Sequence, residues 1–184
     1  AQGAVELAAC LLCRGETIVI PTETVYGLAA DATNPKAIEK IFSVKGRAVD
    51  NPLIVHIAQI KMWQPLVREL PEACLRLAKA FWPGPLSIIL PKSKIVCDAA
   101  TAGLDSVAVR MPAHEAALAV INAAGVALAA PSANISGSPS PTCVQHCVAD
   151  LWGKVPLILD GGCCKIGIES TVLSMCGHPT ILRP

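Results

Sequence analysis

Residues 21–57 read PTETVYGLAADATNPKAIEKIFSVKGRAVDNPLIVHI, and this stretch decides the fold. One apolar run, Ile18–Ile20, enters it, and another, residues 53–57, closes it. Both are short, β-branched and bounded by Pro, Asn or polar residues, the pattern of buried strands. Between them come a polar strand exit (Thr22, Glu23, Thr24, Tyr26), a helix, and a loop bearing Lys45, Arg47, Asp50 and Asn51. Asn34-Pro35 starts the helix, with Asn as its cap and Pro in the first turn. Ala37, Ile38, Ile41 and Phe42 form its apolar face, and Gly46 ends it. The second strand finishes on His56. Polar groups gathered at strand ends mark where α/β proteins hold ligands.

The same pattern extends outward. Residues 4–14 predict a helix with Val5, Ala8, Leu11 and Leu12 on one face and Gly15 as its stop. A short amphipathic piece follows the 53–57 strand at 59–66. Helices are predicted at 71–81, with Leu75, Leu77 and Ala78 inward, at 114–124, and at 142–151 with Thr142 as cap. Strands are predicted at 86–90, 107–110, 126–130, 156–159, 171–174 and 180–182. Trp82-Pro-Gly-Pro85 breaks the chain, and 160–162 is a tight turn. Residues 131–141 (PSANISGSPSP) have linker composition, but only about 40 residues follow, too few for a second ordinary domain. They read as a loop folded over a site. Alternating helices and strands without a repeat give an α/β sheet with helices on its faces.

The 184 residues suit one domain, 1–184. At 53% hydrophobic and 16% charged residues the chain is no disordered tract. A formal charge of +1 gives no global basic field for nucleic acid. No apolar run reaches the roughly 18 residues of a spanning helix, and no signal-peptide pattern opens the sequence. The expected compartment is the cytoplasm, without a membrane. The nine cysteines lack metal spacing, and most of them read as small buried hydrophobes, with a redox or metal role as the minor alternative.

There is no GxxxxGK[ST] and no GxGxxG, so a nucleotide site here is neither a P-loop nor a Rossmann turn. Lys45, Arg47, Arg110 and Arg183 each stand at a strand end or in an adjoining loop. Such forks and point charges suit phosphates and carboxylates. Ser132, Asn134, Ser136, Ser138 and Ser140 add hydroxyl and backbone donors. No nucleophile-plus-base pair stands out.

Seven pieces together resemble the YrdC-like family, the threonylcarbamoyl-adenylate synthases that begin tRNA t6A modification. They are PTETVYGL (21–28), KGR with NPLIVHI (45–47, 51–57), WPGPLS (82–87), VAVRMP (107–112), APSANISG (130–137), IEST (168–171) and ILRP (181–184). They fall in the family's order and cover nearly the whole chain. The resemblance implies a twisted, mostly mixed β-sheet flanked by helices around an open concave cavity. It implies a single catalytic domain, with the accessory C-terminal domain of larger members absent or removed. It also implies that L-threonine, bicarbonate or CO2, and ATP with Mg²⁺ give threonylcarbamoyl-AMP and pyrophosphate, passed to downstream t6A transferase proteins, with contact to tRNA.

By motif position, Thr24, His56, Arg110, Ala130 and Ser170 resemble the threonine-binding set. Arg47, Asn51, Ser106, Ser132, Ser140 and Arg183 resemble the ATP contacts. Lys45 and Arg47 would be the catalytic cations, and the metal would be bound through ATP phosphates rather than protein ligands. Tyr26 reads as packing, and Glu169 as an orienting or solvated acid. The family loop often reads KGRP; here Ala48 follows Arg47, which loosens the loop. On this reading Arg47→Ala and Arg110→Ala abolish turnover and leave the fold intact. Two alternatives share the fold class: a double-stranded RNA or tRNA-binding module, weakened by 3% aromatic content, and the carbamoyl-adenylate-forming domain of hydrogenase maturation.

Overall fold

A computed structural model describes residues 2–46 and 50–184. Arg47 and Ala48, and with them the expected phosphate-side cation, lie outside the described residues. The chain runs α1 (Gln2–Cys13), β1 (Ile18–Ile20), β2 (Gly27–Asp31), α2 (Pro35–Lys45), β3 (Ile54–His56), two 3₁₀ turns at Ile60–Met62 and Gln64–Leu66, α3 (Glu72–Phe81), β4 (Leu86–Pro91), α4 (Asp98–Thr101), β5 (Ser106–Arg110), α5 (Glu115–Ala124), β6 (Leu128–Ala129), α6 (Val144–Leu151), β7 (Thr171–Ser174) and β8 (Thr180–Arg183).

The strands form one mixed sheet in the order β1-β2-β6-β3-β5-β4-β7-β8. β3 and β5 pair in parallel, as do β4 and β7, while the other neighbours run antiparallel. Period-two alternation assigns the faces. Ile18 and Ile20 of β1, with Ala29 of β2, pack with Ala8 and Leu12 of α1 and Ala117, Val120 and Ile121 of α5. Val19, Leu28 and Ala30 point the other way, against Ala37, Ile38, Ile41 and Phe42 of α2 and on to Trp63 and Trp82. Those two tryptophans pack with ring centroids 4.5 Å apart. Helices thus cover both faces, as the alternation predicts.

The start of α2 follows the expected chemistry. Asn34 Oδ1 accepts from the backbone N–H of Lys36 and Ala37, at 3.1 and 3.3 Å. Gly46 ends the helix at φ 57°, its N–H turned back to the Phe42 and Ser43 carbonyls. Elsewhere the sequence reading needs correction. β2 was not foreseen, because GLAAD has no β-branched residue; tertiary pairing between β1 and β6 makes it a strand. The short α4 was also missed. Residues 156–159 make only a bridge, Ile158 to Val19. The cap of α6 is Cys143, not Thr142, and makes no side-chain bond. Leu75 is exposed, and Cys74 with Ala78 takes the buried face of α3. Among the cysteines only Cys74 and Cys147 are buried, while Cys10, Cys13, Cys163 and Cys176 are exposed. Among the described residues, no helix is long and apolar enough to cross a membrane.

Candidate functional site

The parallel strands β3 and β5 end side by side, with His56 opposite Arg110. β4 and β7 begin near these carboxyl ends, β2 ends level with His56, and the 131–141 loop crosses over at the entry of β2, bridged from Ser132 to Gly27. The result is an open cavity of about 300 Å³, within the size range of small-molecule sites. Thr24, His56, Arg110, Ala130 and Ser170 line it, and so do Asn51, Ser132 and Arg183. Eight residues chosen from sequence, drawn from six separate segments, therefore meet in one place.

Arg110 is 4% exposed, and its fork is held from three sides. Nε donates to the Gly84 carbonyl at 3.1 Å, Nη1 to Thr24 Oγ1 at 2.9 Å, and Nη2 pairs with Glu23 Oε1 at 2.6 Å. Only glycine fits at position 84, since a Cβ there would stand 2.2 Å from the Phe81 carbonyl oxygen. Thr22 Oγ1 donates to the Val25 carbonyl at 2.6 Å. Its proton being used, Thr24 Oγ1 donates to Thr22 across 3.0 Å. Thr24 therefore faces the cavity as an acceptor, while the guanidinium keeps donors beyond those its partners take. Burial pulls Arg110 below its ordinary pKa, and the Glu23 charge pushes back.

His56 Nδ1 lies 3.1 Å from the Ile54 carbonyl. A carbonyl only accepts, so Nδ1 carries the proton and Nε2 keeps a lone pair. Burial first, then the Arg110 charge, lowers its pKa from 6.5 to about 3. The ring is therefore a neutral acceptor and a poor base near pH 7. Because the folded pKa is depressed, the residue contributes stability that is fully present above pH 6.5 and is lost as pH falls toward about 3. Its share of the slope approaches about 1.4 kcal/mol per pH unit. Urea melts across that window should show His56→Gln with a flatter pH profile than wild type; coincident profiles would refute the neutral buried imidazole.

Ser170 Oγ and Ser87 Oγ are 2.8 Å apart. Arg183 donates from Nε to the Ser170 carbonyl at 2.8 Å and from Nη2 to its hydroxyl at 3.3 Å, so β8 fixes one wall of the cavity. Ser140 lies outside the lining but its hydroxyl bonds Glu169, which is in it. That bond, ahead of the opposing effect of burial, holds Glu169 below the usual carboxylate range.

Besides Ser140, two more expected contacts among the described residues are not part of the lining. Ser106 shares the Arg110 face of β5 but opens the strand four residues earlier, roughly 13 Å away along it. Lys45, 1% exposed, sits behind the cavity. Its Nζ donates to the carbonyls of Ser132 and, at 2.5 Å, Asn134, so it holds the loop that carries Ser132. Tyr26 is more than packing: its hydroxyl donates to the Gly162 carbonyl at 2.7 Å and accepts from Gly161 N–H at 3.0 Å. Burial pushes its pKa up to about 12, so the phenol stays neutral. Sequence reasoning gave Glu23 and Ser87 no role. The only signal for Glu23 was an acid set between two threonines at a buried strand exit.

Residues 10–184 match the family model Sua5_yciO_yrdC, described as "Telomere recombination". The chain belongs to this Sua5/YciO/YrdC family. It is 51% identical over 181 residues to the threonylcarbamoyl-AMP synthase of Pyrococcus abyssi, covering 98% of this chain and 53% of that protein. It is 52% identical over 179 residues to the Bacillus subtilis protein of the same name, covering 96% and 52%. The chain thus spans about half the length of these relatives. The structure of P. abyssi Sua5 complexed with L-threonine superposes with a TM-score of 0.96 at 51% identity, over 98% of this chain and 53% of that one. Family membership accounts for the mixed sheet and for the convergence of the quoted motifs on one cavity.

Proposed function

We propose that the chain carries an L-threonylcarbamoyladenylate synthase, a nucleotidyltransferase that forms threonylcarbamoyl-AMP and pyrophosphate from L-threonine, bicarbonate or CO2, and ATP, for tRNA t6A37 modification. The observation that carries this reading is the single cavity where Thr24, His56, Arg110, Ala130 and Ser170 meet Asn51, Ser132 and Arg183. It is supported by the close likeness to the threonine-bound P. abyssi protein.

In this proposal the donors left on Arg110 take the amino-acid carboxylate, a geometry suited to a fork. His56 Nε2 and Thr24 Oγ1 accept from the substrate's amine and hydroxyl, and Ala130 and Ser170 complete that end. Asn51, Ser132, Arg183 and, from its place on Glu169, Ser140 serve ATP, with Arg47 on the phosphates and Ser106 further out. Lys45 acts through the loop it holds; direct contact with phosphate requires it to leave the Ser132 and Asn134 carbonyls. The threonine amine adds to CO2 with loss of a proton, or to bicarbonate with loss of water, giving a carbamate. Its oxygen then attacks the α-phosphorus and pyrophosphate departs, so the protein's contribution is positioning and charge stabilisation.

Among the described residues, no group of three or more His, Cys, Asp or Glu is placed to hold a metal ion. In this proposal Mg²⁺ is carried on the ATP phosphates, where it would neutralise their charge. We place the protein in the cytoplasm, handing its product to t6A transferase proteins that present tRNA. Protein supplied with ATP, Mg²⁺ and bicarbonate should release pyrophosphate only when L-threonine is added, and mass spectrometry should find threonylcarbamoyl-AMP. Pyrophosphate release that ignores threonine would sink the reading.

A further inference from the structure

Glu23 is 4% exposed and lies outside the cavity lining, behind Arg110. One carboxylate oxygen stands 2.6 Å from Arg110 Nη2 as an ion pair, and neither those two atoms nor Oε2 has a hydrogen bond of regular geometry among the described residues. A buried carboxylate is tolerated only where a charge compensates it, so the pair is a built feature. We propose that Glu23 is a positioning and specificity residue: it fixes the Arg110 fork and cancels its charge, so that this end of the cavity accepts the carboxylate of a zwitterion and turns away phosphate-type anions.

The charges around the cavity support this. Arg110 and Arg183 are close enough for each to be felt by the other. Two guanidiniums facing one partly enclosed space would be an anion trap. Glu23 offsets the first, and Glu169 lies in the field of the second. His56 adds no charge near neutral pH. Among the described residues, then, each arginine of the cavity is matched by an acid. An amino-acid zwitterion carries no net charge and can use the directional donors left on Arg110. Phosphate and pyrophosphate need net positive charge, which Glu23 removes. The need for such a filter rests on the synthase reading, in which ATP enters and pyrophosphate leaves beside the amino-acid end; the filter itself rests on geometry.

The test is calorimetric titration of wild type, Glu23→Gln and Glu23→Asp with L-threonine, inorganic phosphate and pyrophosphate. Glu23→Gln should bind phosphate at least about tenfold more tightly than wild type, and phosphate should then compete with threonine. A merely structural role would not create a new anion affinity. Glu23→Asp keeps the charge but shortens the reach, so it should lose threonine affinity severalfold without gaining phosphate. Wild-type phosphate affinity in Glu23→Gln would overturn the proposal, as would a gain of phosphate binding in Glu23→Asp. If Glu23→Gln does not fold, Glu23→Asp decides alone: unchanged threonine affinity there overturns the proposal. Wild-type protein that does not bind threonine would defeat the synthase reading, while the phosphate arms still report on Glu23.

Discussion

Arg110→Lys is expected to lower threonine-dependent turnover by about a hundredfold or more while the protein stays folded. Arg110 serves the Gly84 carbonyl, Thr24 and Glu23 together, and in the proposed mechanism it holds the amino-acid carboxylate as well. A lysine ammonium is a point charge with three donors on a flexible stem. It can keep Glu23 company, which preserves the buried pair, but it cannot span the same partners and still present a planar edge to substrate. Losing one or two charge-assisted bonds, at about 1.5–3 kcal/mol each, accounts for the loss. The defect should fall on threonine KM and on kcat, with ATP binding little changed. For Arg110→Ala the buried ion pair changes the expected result from an intact fold to a weakened one. The substitution strands the Glu23 carboxylate, 5% exposed in its side chain, and should destabilise the protein by about 3–5 kcal/mol. Thermal melts run beside steady-state kinetics separate the two effects. Wild-type turnover in Arg110→Lys would remove Arg110 from the site.

Why the sequence foretold some of this and not the rest is visible residue by residue. His56 and Arg110 were legible because each ends a short apolar strand, and a polar group there has few places to point except the strand-end crevice. Asn34-Pro35 was legible because capping is local chemistry, settled within four residues. β2 was not, because Gly27–Asp31 has weak β-propensity and becomes a strand only through its neighbours β1 and β6. The partners of Glu23 and Lys45 were not legible, for the same reason in reverse. The two residue types fit a surface or a phosphate site equally well, and only the partners brought by distant segments, Arg110 for one and the 131–141 loop for the other, decide their roles. The cysteines misled because an apolar context in sequence does not say which face of a helix is buried: Cys10 and Cys13 of α1 are exposed.

Lys45→Met is expected to reduce the ATP-dependent step about a hundredfold while changing threonine affinity less than about threefold. Methionine keeps the length and apolar character of the lysine stem but removes the ammonium. Among the partners it abandons are the Ser132 and Asn134 carbonyls. A buried acceptor left unsatisfied costs about 1–3 kcal/mol, so the melting temperature should fall. The loss should be local, because other bonds still tether the loop. Leu28 N–H reaches the Pro131 carbonyl at 2.8 Å, Tyr26 N–H the Pro141 carbonyl at 2.9 Å, and Asp150 Oδ2 accepts from Ile135 N–H at 3.0 Å. Hydrogen exchange should therefore quicken within residues 131–141 and stay slow in β3 and β5. In the proposed mechanism Ser132 serves ATP and moves with that loop, so ATP binding, rather than threonine binding, should suffer. The threonine end is built on the strand exit at Thr24 and on the ends of β3 and β5, which Lys45 does not touch among its described bonds. If turnover falls while loop exchange and melting temperature remain as in wild type, Lys45 acts directly on phosphate and its carbonyl partners are a resting place. If exchange quickens and turnover is unharmed, the loop has no part in seating ATP. The expected combination, a faster loop with a slower ATP step, follows only when one buried ammonium connects helix α2 to the chain crossing over the cavity.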